Sequence, residues 1–146
     1  MNKIYWNNYY SKQKQVRQHS LFAQYIAENY LGDEKSSLIE LGCGNGRDSI
    51  YFGKKGLNVV AIDQSEKSID FLQNKFSEVK NLEFKSGDFT DLKNEKIYDI
   101  VYSRFTLHSI NSFEQNRVLN WCYNQLNKCG LLCIEVRGKK NELYKK

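Results

Sequence analysis

The sequence contains no proline among its 146 residues, so its helices and strands must end at glycine, asparagine, aspartate or serine. It also has no run approaching the roughly 18 apolar residues that a membrane span requires. The N-terminal segment MNKIYWNNYY lacks the apolar core of a signal peptide. These absences argue against a membrane protein, and we expect a cytoplasmic protein without membrane partners.

Cysteine is present but shows no metal or disulfide pattern. The four cysteines form no C-x-x-C pair and fall within predicted strands, helices or a turn: Cys43, Cys122, Cys129 and Cys133. Such a distribution favours reduced thiols over a disulfide framework or a zinc site. We therefore expect no bound metal.

Positive charge is in small excess and is scattered. The net charge is +5, and the lysines alternate with acidic residues except in the basic segment 137–146. Nucleic-acid binding usually requires a clustered basic surface, so we expect no nucleic-acid partner. The positions of the arginines matter more than the total charge.

Length and periodicity predict a single α/β domain over residues 1–146, with a helical cap at 1–32, a core at 37–136 and a tail at 137–146. Short apolar runs alternate with amphipathic stretches, which is typical of βαβ units around a parallel sheet. Strands are predicted at 37–41, 58–62, 82–86, 98–102 and 131–136. Helices are predicted at about 17–30, 47–55, 66–79 and 113–127. A short helix should also carry four N-terminal aromatic residues on one face: Tyr5, Trp6, Tyr9 and Tyr10.

The strongest motif is a buried strand that runs into three alternating glycines, Gly42, Gly44 and Gly46, and then into a helix. Glycines at these positions permit positive φ and let the backbone approach a ligand closely. Asp63 closes the second strand, 21 residues after Gly42. An acid at that distance lies beside the first loop and can accept hydrogen bonds from ribose hydroxyls.

The same loop argues against a pyrophosphate ligand. In the G-x-G-x-x-G motif of dinucleotide sites the third glycine comes one residue later, where this sequence has Arg47. Glu40, two residues before the first glycine, has no role in binding pyrophosphate. A carboxylate there can hold the cationic methionine end of S-adenosylmethionine.

These motifs resemble those of the class I S-adenosylmethionine-dependent methyltransferases, from Glu40 to Val136. The resemblance implies an α/β fold with a Rossmann-like parallel sheet of order 3-2-1-4-5, helices on both faces and an N-terminal helical cap. Strands 6 and 7 of the family would be absent from this chain. It implies S-adenosylmethionine as the cofactor and S-adenosylhomocysteine as the product. Ser103 stands where metal-dependent members carry an aspartate, which again predicts no metal.

The resemblance also implies a set of cofactor-binding residues: Glu40, Gly42, Cys43, Gly44, Gly46, Asp63, Gln64, Asp88, Phe89 and Ser103. Glu40 and the glycines would contact the methionine moiety, and Asp63 the ribose. Gln64, Asp88 and Phe89 would lie around the adenine, with Asp88 accepting from its amino group. Local alternatives remain open, because Asp88 suits a turn or helix cap and Phe89 suits the core.

The acceptor side is predicted after the fourth strand, in the segment Ser103 to Ile110. Arg104 and His108 lie four residues apart and would share one face if this segment forms a helical turn. His108 is the candidate base or acceptor-positioning residue, the alternative being a histidine satisfied by backbone. Both residues are our candidates for a catalytic role.

Three arginines follow the ends of strands: Arg47, Arg104 and Arg137. Arginine suits bidentate binding of phosphate or carboxylate, so an anionic small-molecule acceptor is one hypothesis. The other is that Arg47 pairs with Glu40 or Asp48.

The N-terminal aromatic residues have two interpretations. If they form a lid over the site, Tyr9 and His19 would also contact the acceptor; otherwise the aromatic residues pack on the sheet.

The sequence thus predicts methyl transfer, most simply to oxygen, on a small anionic or phosphorylated acceptor. A similarity to small bacterial methyltransferases suggests surface-polysaccharide modification. One alternative is a truncated or non-catalytic S-adenosylmethionine-binding protein that forms a homodimer through the exposed edge of the fifth strand. Another is an RNA methyltransferase. A DNA-base enzyme is disfavoured, because the Asn/Asp-Pro-Pro-Tyr/Phe segment is missing.

Overall fold

A computed structural model describes residues 4–5, 8–9, 18–34, 36–93 and 96–141. The helices are α1 (Leu21–Tyr30), α2 (Arg47–Lys54), α3 (Glu66–Lys75) and α4 (Ser112–Gln125). The strands are β1 (Ser37–Leu41), β2 (Asn58–Asp63), β3 (Leu82–Ser86), β4 (Tyr98–Arg104) and β5 (Leu126–Glu135). Short 3-10 turns occupy Phe89–Asp91 and Leu107–Ser109.

The strands form one parallel sheet in the order β3-β2-β1-β4-β5, which confirms the predicted fold. The strand order reverses between β1 and β4, so their carboxyl ends flank the crevice where open α/β sheets bind ligands. Glu40 of β1 lies in register with Ala61 of β2 and Tyr102 of β4. Side chains of β1, β2 and β4 therefore lie next to one another at the centre of the sheet.

Successive strand residues alternate between the two faces of the sheet. Leu38, Ile100 and Tyr102 pack with Ala23 of α1 and Phe52 of α2 on one face. On the opposite face, Phe89 of a 3-10 turn and Val118 of α4 pack in one cluster with strand residues. These strand residues include Ile39, Leu41, Val60 and Val101. Helices thus cover both faces, as the alternating pattern predicted.

Several helix boundaries differ from the predicted ones. α1 begins at Leu21 because the Ser20 hydroxyl caps it, accepting from the Ala23 amide at 3.0 Å; the predicted start at Arg17 lies outside the described residues. α3 ends at Lys75, not Val79, since the intervening side chains are exposed or only partly buried and little packing prolongs the helix. α4 begins at Ser112, after a capping box formed by Asn111 and Glu114.

The fifth strand begins five residues earlier than predicted, at Leu126. Leu126 pairs with Tyr98, but Ile100 next pairs with Leu131, so the strand contains an irregular segment at 127–130. Cys129 has φ of 64° there. The predicted glycine turn is therefore an irregularity inside β5 rather than the boundary before it.

At the amino edge of the sheet, Asp99 joins three strands. Its carboxylate accepts from the Ser36 and Ser37 amides, both at 3.0 Å, and from the Asn127 side chain at 2.7 Å. Burial alone would raise the pKa of Asp99, but these donors outweigh it and hold the pKa well below its usual range.

In the described part of the chain, no helix is long and apolar enough to cross a bilayer.

Candidate functional site

The loop after β1 is fixed to β2 by backbone hydrogen bonds. The Gly42 and Cys43 amides both donate to the Ile62 carbonyl, at 2.8 and 3.0 Å. Gly42, Gly44 and Gly46 all have positive φ, between 56° and 76°, which non-glycine residues adopt only at a cost. The predicted glycine loop therefore exists, and its turn depends on glycine geometry.

Gly42 also lies against the segment that follows β4. A Cβ at this position would come within 2.5 Å of the Thr106 methyl carbon and 2.6 Å of its hydroxyl oxygen. Thr106 is buried, and its hydroxyl donates to the Arg104 carbonyl at 3.1 Å. The missing side chain at Gly42 thus lets the cofactor-side loop contact the acceptor-side segment directly.

Asp63 lies at the carboxyl end of β2 and holds the glycine loop. Its carboxylate accepts from the Gly44 amide at 2.8 Å and from the Ser65 amide at 2.9 Å. Burial raises the pKa of Asp63, and the two backbone donors oppose the rise. The structure thus brings the predicted ribose acid and the predicted glycine loop into direct contact.

Glu40 is buried beneath the same loop and accepts a short hydrogen bond from the Ser49 hydroxyl of α2. Its burial, and then the negative charge of Asp48, raise its pKa to about 8, with a smaller contribution from Asp63. Only the Ser49 bonds oppose the rise. At neutral pH, a nearby positive charge would favour the ionised form of this carboxyl group.

A buried polar network was missed in the sequence analysis. Asp48, at the first turn of α2, accepts from the Ser20 amide at 2.7 Å, the Ser20 hydroxyl at 2.8 Å and the Tyr102 hydroxyl at 2.9 Å. These partners lie 28 and 54 residues from Asp48 in the chain. No local motif signals such contacts, although a buried acid directly after a glycine loop is a weak hint.

The adenine-side candidates occupy different environments. Asp88 is exposed and caps the turn at Phe89–Asp91, accepting from the Thr90 amide at 2.9 Å. Phe89 is 2% exposed and belongs to the core facing α4. The Gln64 side chain is buried, and its nitrogen has no hydrogen-bond partner among the described residues. The structure thus shows Asp88 as a cap and Phe89 in the core, and the adenine contacts stay predictions.

The remaining cofactor candidates lie close to the loop. Cys43 is a buried free thiol whose pKa burial raises well above its usual value. Ser103 is 2% exposed, and its hydroxyl points to the Leu41 carbonyl at 3.5 Å. Neither side chain is accessible in this conformation, so any contact with the cofactor would need their backbone or a rearrangement.

The acceptor-side candidates meet around Phe105, a residue that no sequence motif had singled out. Phe105 follows β4 with φ of 55°. The Arg104 guanidinium lies 4.1 Å from its ring centroid and that of Arg137 lies 5.3 Å away. The His108 ring meets Phe105 edge-on at 6.1 Å. Phe105 thus lies between two arginines and beside the predicted base.

Arg104 and His108 do not share a helical turn. Arg104 ends β4, and its guanidinium forms an ion pair with Glu135 of β5. His108 lies in the 3-10 turn at Leu107–Ser109, with its Nδ1 buried and without a hydrogen-bond partner among the described residues. Burial and then the charge of Arg137 lower the pKa of His108, which favours the neutral imidazole.

The other substrate candidates are dispersed. Arg47 lies 3.8 Å from Asp48, the alternative that the sequence left open. The His19 ring stacks on Tyr51 of α2 at 3.9 Å. Tyr9 is 43% exposed and stacks with Tyr5 at 6.4 Å, whereas Trp6 and Tyr10 lie outside the described residues. The contact of Tyr9 and His19 with an acceptor stays a prediction.

All four cysteines are free thiols in the structure. In the described ranges, no group of three or more His, Cys, Asp or Glu side chains could hold a metal ion.

The candidate site has two parts. A glycine loop with buried acids lies at the carboxyl ends of β1 and β2, and an arginine, phenylalanine and histidine cluster follows β4 and β5.

Comparison with known proteins places this arrangement in a family. A family model described as "Methyltransferase domain" matches residues 38–130. Over 137 residues the chain is 28% identical to malonyl-acyl-carrier-protein O-methyltransferase of Bacillus cereus, a match that covers 92% of this chain and 49% of the relative. The chain thus spans about half the length of that curated relative.

Solved structures share the fold. Phosphoethanolamine N-methyltransferase 1 of Haemonchus contortus, in complex with phosphoethanolamine and S-adenosylhomocysteine, has a TM-score of 0.77 at 18% identity, over 94% of this chain and 32% of that one. The glycopeptide N-methyltransferase MtfA complexed with S-adenosyl-L-methionine has a TM-score of 0.69 at 17% identity, over 77% and 51% of the two chains. At these identities the likeness establishes the fold alone.

Proposed function

The chain belongs to the methyltransferase domain family, and from that premise we propose that it binds S-adenosylmethionine and transfers the methyl group to a small acceptor. The observation that carries the proposal is the bond from the Gly44 amide to Asp63, which joins the glycine loop to the ribose acid. Relatives and structural neighbours are named as methyltransferases, and two of these neighbours hold this cofactor or its product.

The charge of the loop supports this cofactor over a dinucleotide. Glu40, Asp48 and Asp63 are all buried around the loop, and a nearby pyrophosphate would make each of them more costly to ionise. The methionine end of S-adenosylmethionine carries a sulfonium and an ammonium group, which these acids would attract. Glu40 suits the ammonium group best, because Asp48 is occupied by three donors.

For the acceptor we propose a small anionic molecule methylated on oxygen. Among the candidate arginines, Arg47 lies beside Asp48 and Arg104 pairs with Glu135, which leaves Arg137 as the best candidate to bind an anion. Arg137 lies near His108 and Phe105. Phosphorylated sugars and nucleotides, as precursors of surface polysaccharides, are one class to test, beside carboxylates and phosphodiesters that carry a single negative charge.

The chemistry asks little of these residues beyond orientation. When bound, the cofactor would supply a methyl carbon activated by a positive sulfur; the sulfur would keep the electron pair of the bond that breaks, and the acceptor oxygen would supply the pair for the bond that forms. An ionised acceptor oxygen needs no base. For a hydroxyl acceptor, the neutral His108 imidazole would take the proton, since its lowered pKa keeps it unprotonated at neutral pH.

The first experiment is calorimetric titration with S-adenosylmethionine and S-adenosylhomocysteine. Asp63→Ala should abolish binding, whereas Asp70→Ala, at an exposed position of α3, should bind like the wild type. Equal binding by both variants, or none by a folded wild type, would refute the cofactor proposal. The melting temperatures of both variants should be measured to show that they fold.

The acceptor proposal has its own test. Release of S-adenosylhomocysteine is followed over a panel of phosphorylated sugars, nucleotides, carboxylates and neutral alcohols. Arg137→Gln should raise the KM for anionic acceptors selectively, whereas Lys67→Gln, which removes a positive charge at an exposed position of α3, should not. An equal effect of both variants, or a preference for neutral acceptors, would count against an anionic substrate.

A non-catalytic, dimeric binding protein is the second candidate, because β5 is an edge strand of the described sheet. Leu132 of β5 and Val136, the residue after the strand, are exposed apolar side chains. We propose that two copies pair through this edge. Light scattering at several concentrations would detect the dimer. Cofactor binding without turnover, together with dimer loss in Leu132→Lys, would favour this role over catalysis.

A further inference from the structure

Asp48 occupies a position that neither the family motifs nor the proposed chemistry explains. We infer that Asp48 is a positioning residue for the methionine end of the cofactor. The Asp48 carboxylate joins α1, α2 and β4 around Glu40, and it determines when Glu40 can bind a cation. The inference rests on the proposed cofactor. It concerns a residue that would not touch the reacting atoms.

The first support is geometric. Asp48 is 2% exposed and accepts three hydrogen bonds, from the Ser20 amide, the Ser20 hydroxyl and the Tyr102 hydroxyl, at 2.7 to 2.9 Å. The Ser20 and Tyr102 hydroxyls also lie 3.3 Å apart. Three elements from distant parts of the chain therefore meet at one carboxylate, directly below the glycine loop.

The second support is the placement of this network beside Glu40. Tyr102 is the register partner of Glu40 on the neighbouring strand, and Ser49, the residue after Asp48, donates to Glu40. The charged and titratable groups that act on Glu40 are Asp48 from α2 and Asp63 from β2. Glu40 and Asp48 in turn raise the pKa of Tyr102, after burial.

The two buried acids have unequal surroundings. Asp48 has three donors and the Arg47 guanidinium at 3.8 Å, whereas both donors to Glu40 come from Ser49 and, among the described residues, no cation lies beside it. Two nearby carboxyl groups that cannot both ionise cheaply separate into one charged and one protonated group. Glu40, which has fewer donors and a raised pKa, is therefore the group that keeps a proton at neutral pH until a cation approaches.

Binding of the cofactor should therefore be coupled to the release of a proton from Glu40. The ammonium group of the bound cofactor favours ionised Glu40, so binding at pH 7 releases the Glu40 proton. Because the pKa of Glu40 in the free protein is about 8, affinity should rise with pH up to about 8 and then level off. Without Asp48, the pKa of Glu40 falls and less of this dependence remains.

The same carboxylate also fastens the start of α1. Ser20 caps this helix through its hydroxyl, and the neighbouring His19 stacks on Tyr51 of α2. Both contacts hold residues 19 and 20 against α2, next to the loop. Loss of the Tyr102 hydroxyl removes one of the three donors while leaving both acids, so it tests the anchoring role separately.

The experiment is calorimetry of S-adenosylhomocysteine binding to the full chain between pH 5.5 and 9, in buffers of different ionisation enthalpy. The number of protons released comes directly from the buffer dependence. Wild type should release close to one proton at pH 7 and none near pH 9. Glu40→Gln should release none at either pH, which identifies Glu40 as the source.

Asp48→Asn should release fewer protons at pH 7, with the midpoint of the affinity profile lowered by roughly one pH unit. Asp70→Asn, an exposed control on α3, should match the wild type. Tyr102→Phe should lower the affinity by up to about tenfold with an unchanged midpoint, whereas the exposed control Tyr123→Phe should leave both unchanged.

An unchanged proton count and midpoint in a folded Asp48→Asn variant would overturn the inference. If that variant does not fold, Arg47→Gln replaces it, because removing this cation exposes Glu40 to the full charge of Asp48 and should raise the midpoint. An unchanged midpoint in Arg47→Gln would then overturn it equally. Failure of the wild type to bind at all would refute the proposed cofactor instead.

Discussion

Replacing Gly42 by alanine should destabilise the protein by about 2–5 kcal/mol, as the sum of two separable costs. Its φ of 76° is left-handed, which costs a residue with a Cβ about 1–2 kcal/mol. The new Cβ would also lie 2.5 Å from the Thr106 methyl carbon, far inside the about 3.5–4.0 Å at which carbon atoms pack. Thr106 is buried and hydrogen-bonded to Arg104, so moving it adds about 1–3 kcal/mol.

Two other glycines separate these costs. Gly56 has φ of 93° but nothing within 4 Å of where a Cβ would lie, so Gly56→Ala should carry the backbone cost alone. Gly32 has no positive φ and the same open space, so Gly32→Ala should be neutral or slightly stabilising. Urea unfolding of the three variants should rank Gly42→Ala as the least stable and Gly32→Ala as the most stable.

A double-mutant cycle tests the contact itself. Thr106→Ala removes the two nearest atoms and leaves the Thr106 Cβ at 3.2 Å. In that background Gly42→Ala should cost about 1–2 kcal/mol less than in the wild type. If Gly42→Ala is no worse than Gly56→Ala, or if the cycle gives no coupling, the contact with Thr106 has no energetic importance and the reasoning fails.

Three further predictions concern stability and charge. Asp99→Asn should cost about 1–3 kcal/mol in urea unfolding at pH 7; because the pKa of Asp99 is lowered, the difference from wild type should hold above about pH 4 and shrink as the pH falls further. Asn111→Ala, which breaks the capping box of α4, should cost about 1 kcal/mol, and the exposed Asn124→Ala should cost less. NMR titration should give His108 a pKa below about 6.5 that rises in Arg137→Gln; a fall would contradict the assigned cause.

The loop and its acid could be predicted because their signal is local. Three alternating glycines directly after an apolar strand indicate a turn where backbone approaches a ligand, and Asp63 follows at a fixed distance along one βαβ unit. The strand order came from the resemblance and not from the pattern, since periodicity shows where strands are and not which strands are neighbours. The structure agrees with both.

The rest depends on contacts between distant residues or on unusual backbone. The bonds of Asp48 reach Ser20 and Tyr102 across 28 and 54 residues, and hydrophobic periodicity carries no information about such pairs. Phe105 and Cys129 adopt positive φ without being glycine, so composition gives no warning of either turn. For this reason the predicted helical turn after β4 and the predicted start of β5 were wrong.

The two halves of the site have opposite electrostatic character, and this bears on what the acceptor can be. Buried acids lie on the loop side, around Glu40 and Asp63, whereas the side after β4 and β5 has its guanidinium groups at Phe105. Within that cluster Glu135 neutralises Arg104, and neutral His108 adds no charge, so the net charge of the cluster is close to that of Arg137 alone. One cation balances a single negative charge, such as a carboxylate or a phosphodiester. A dianionic phosphate would be better balanced only if Arg104 left Glu135, and the ion pair therefore favours monoanionic acceptors.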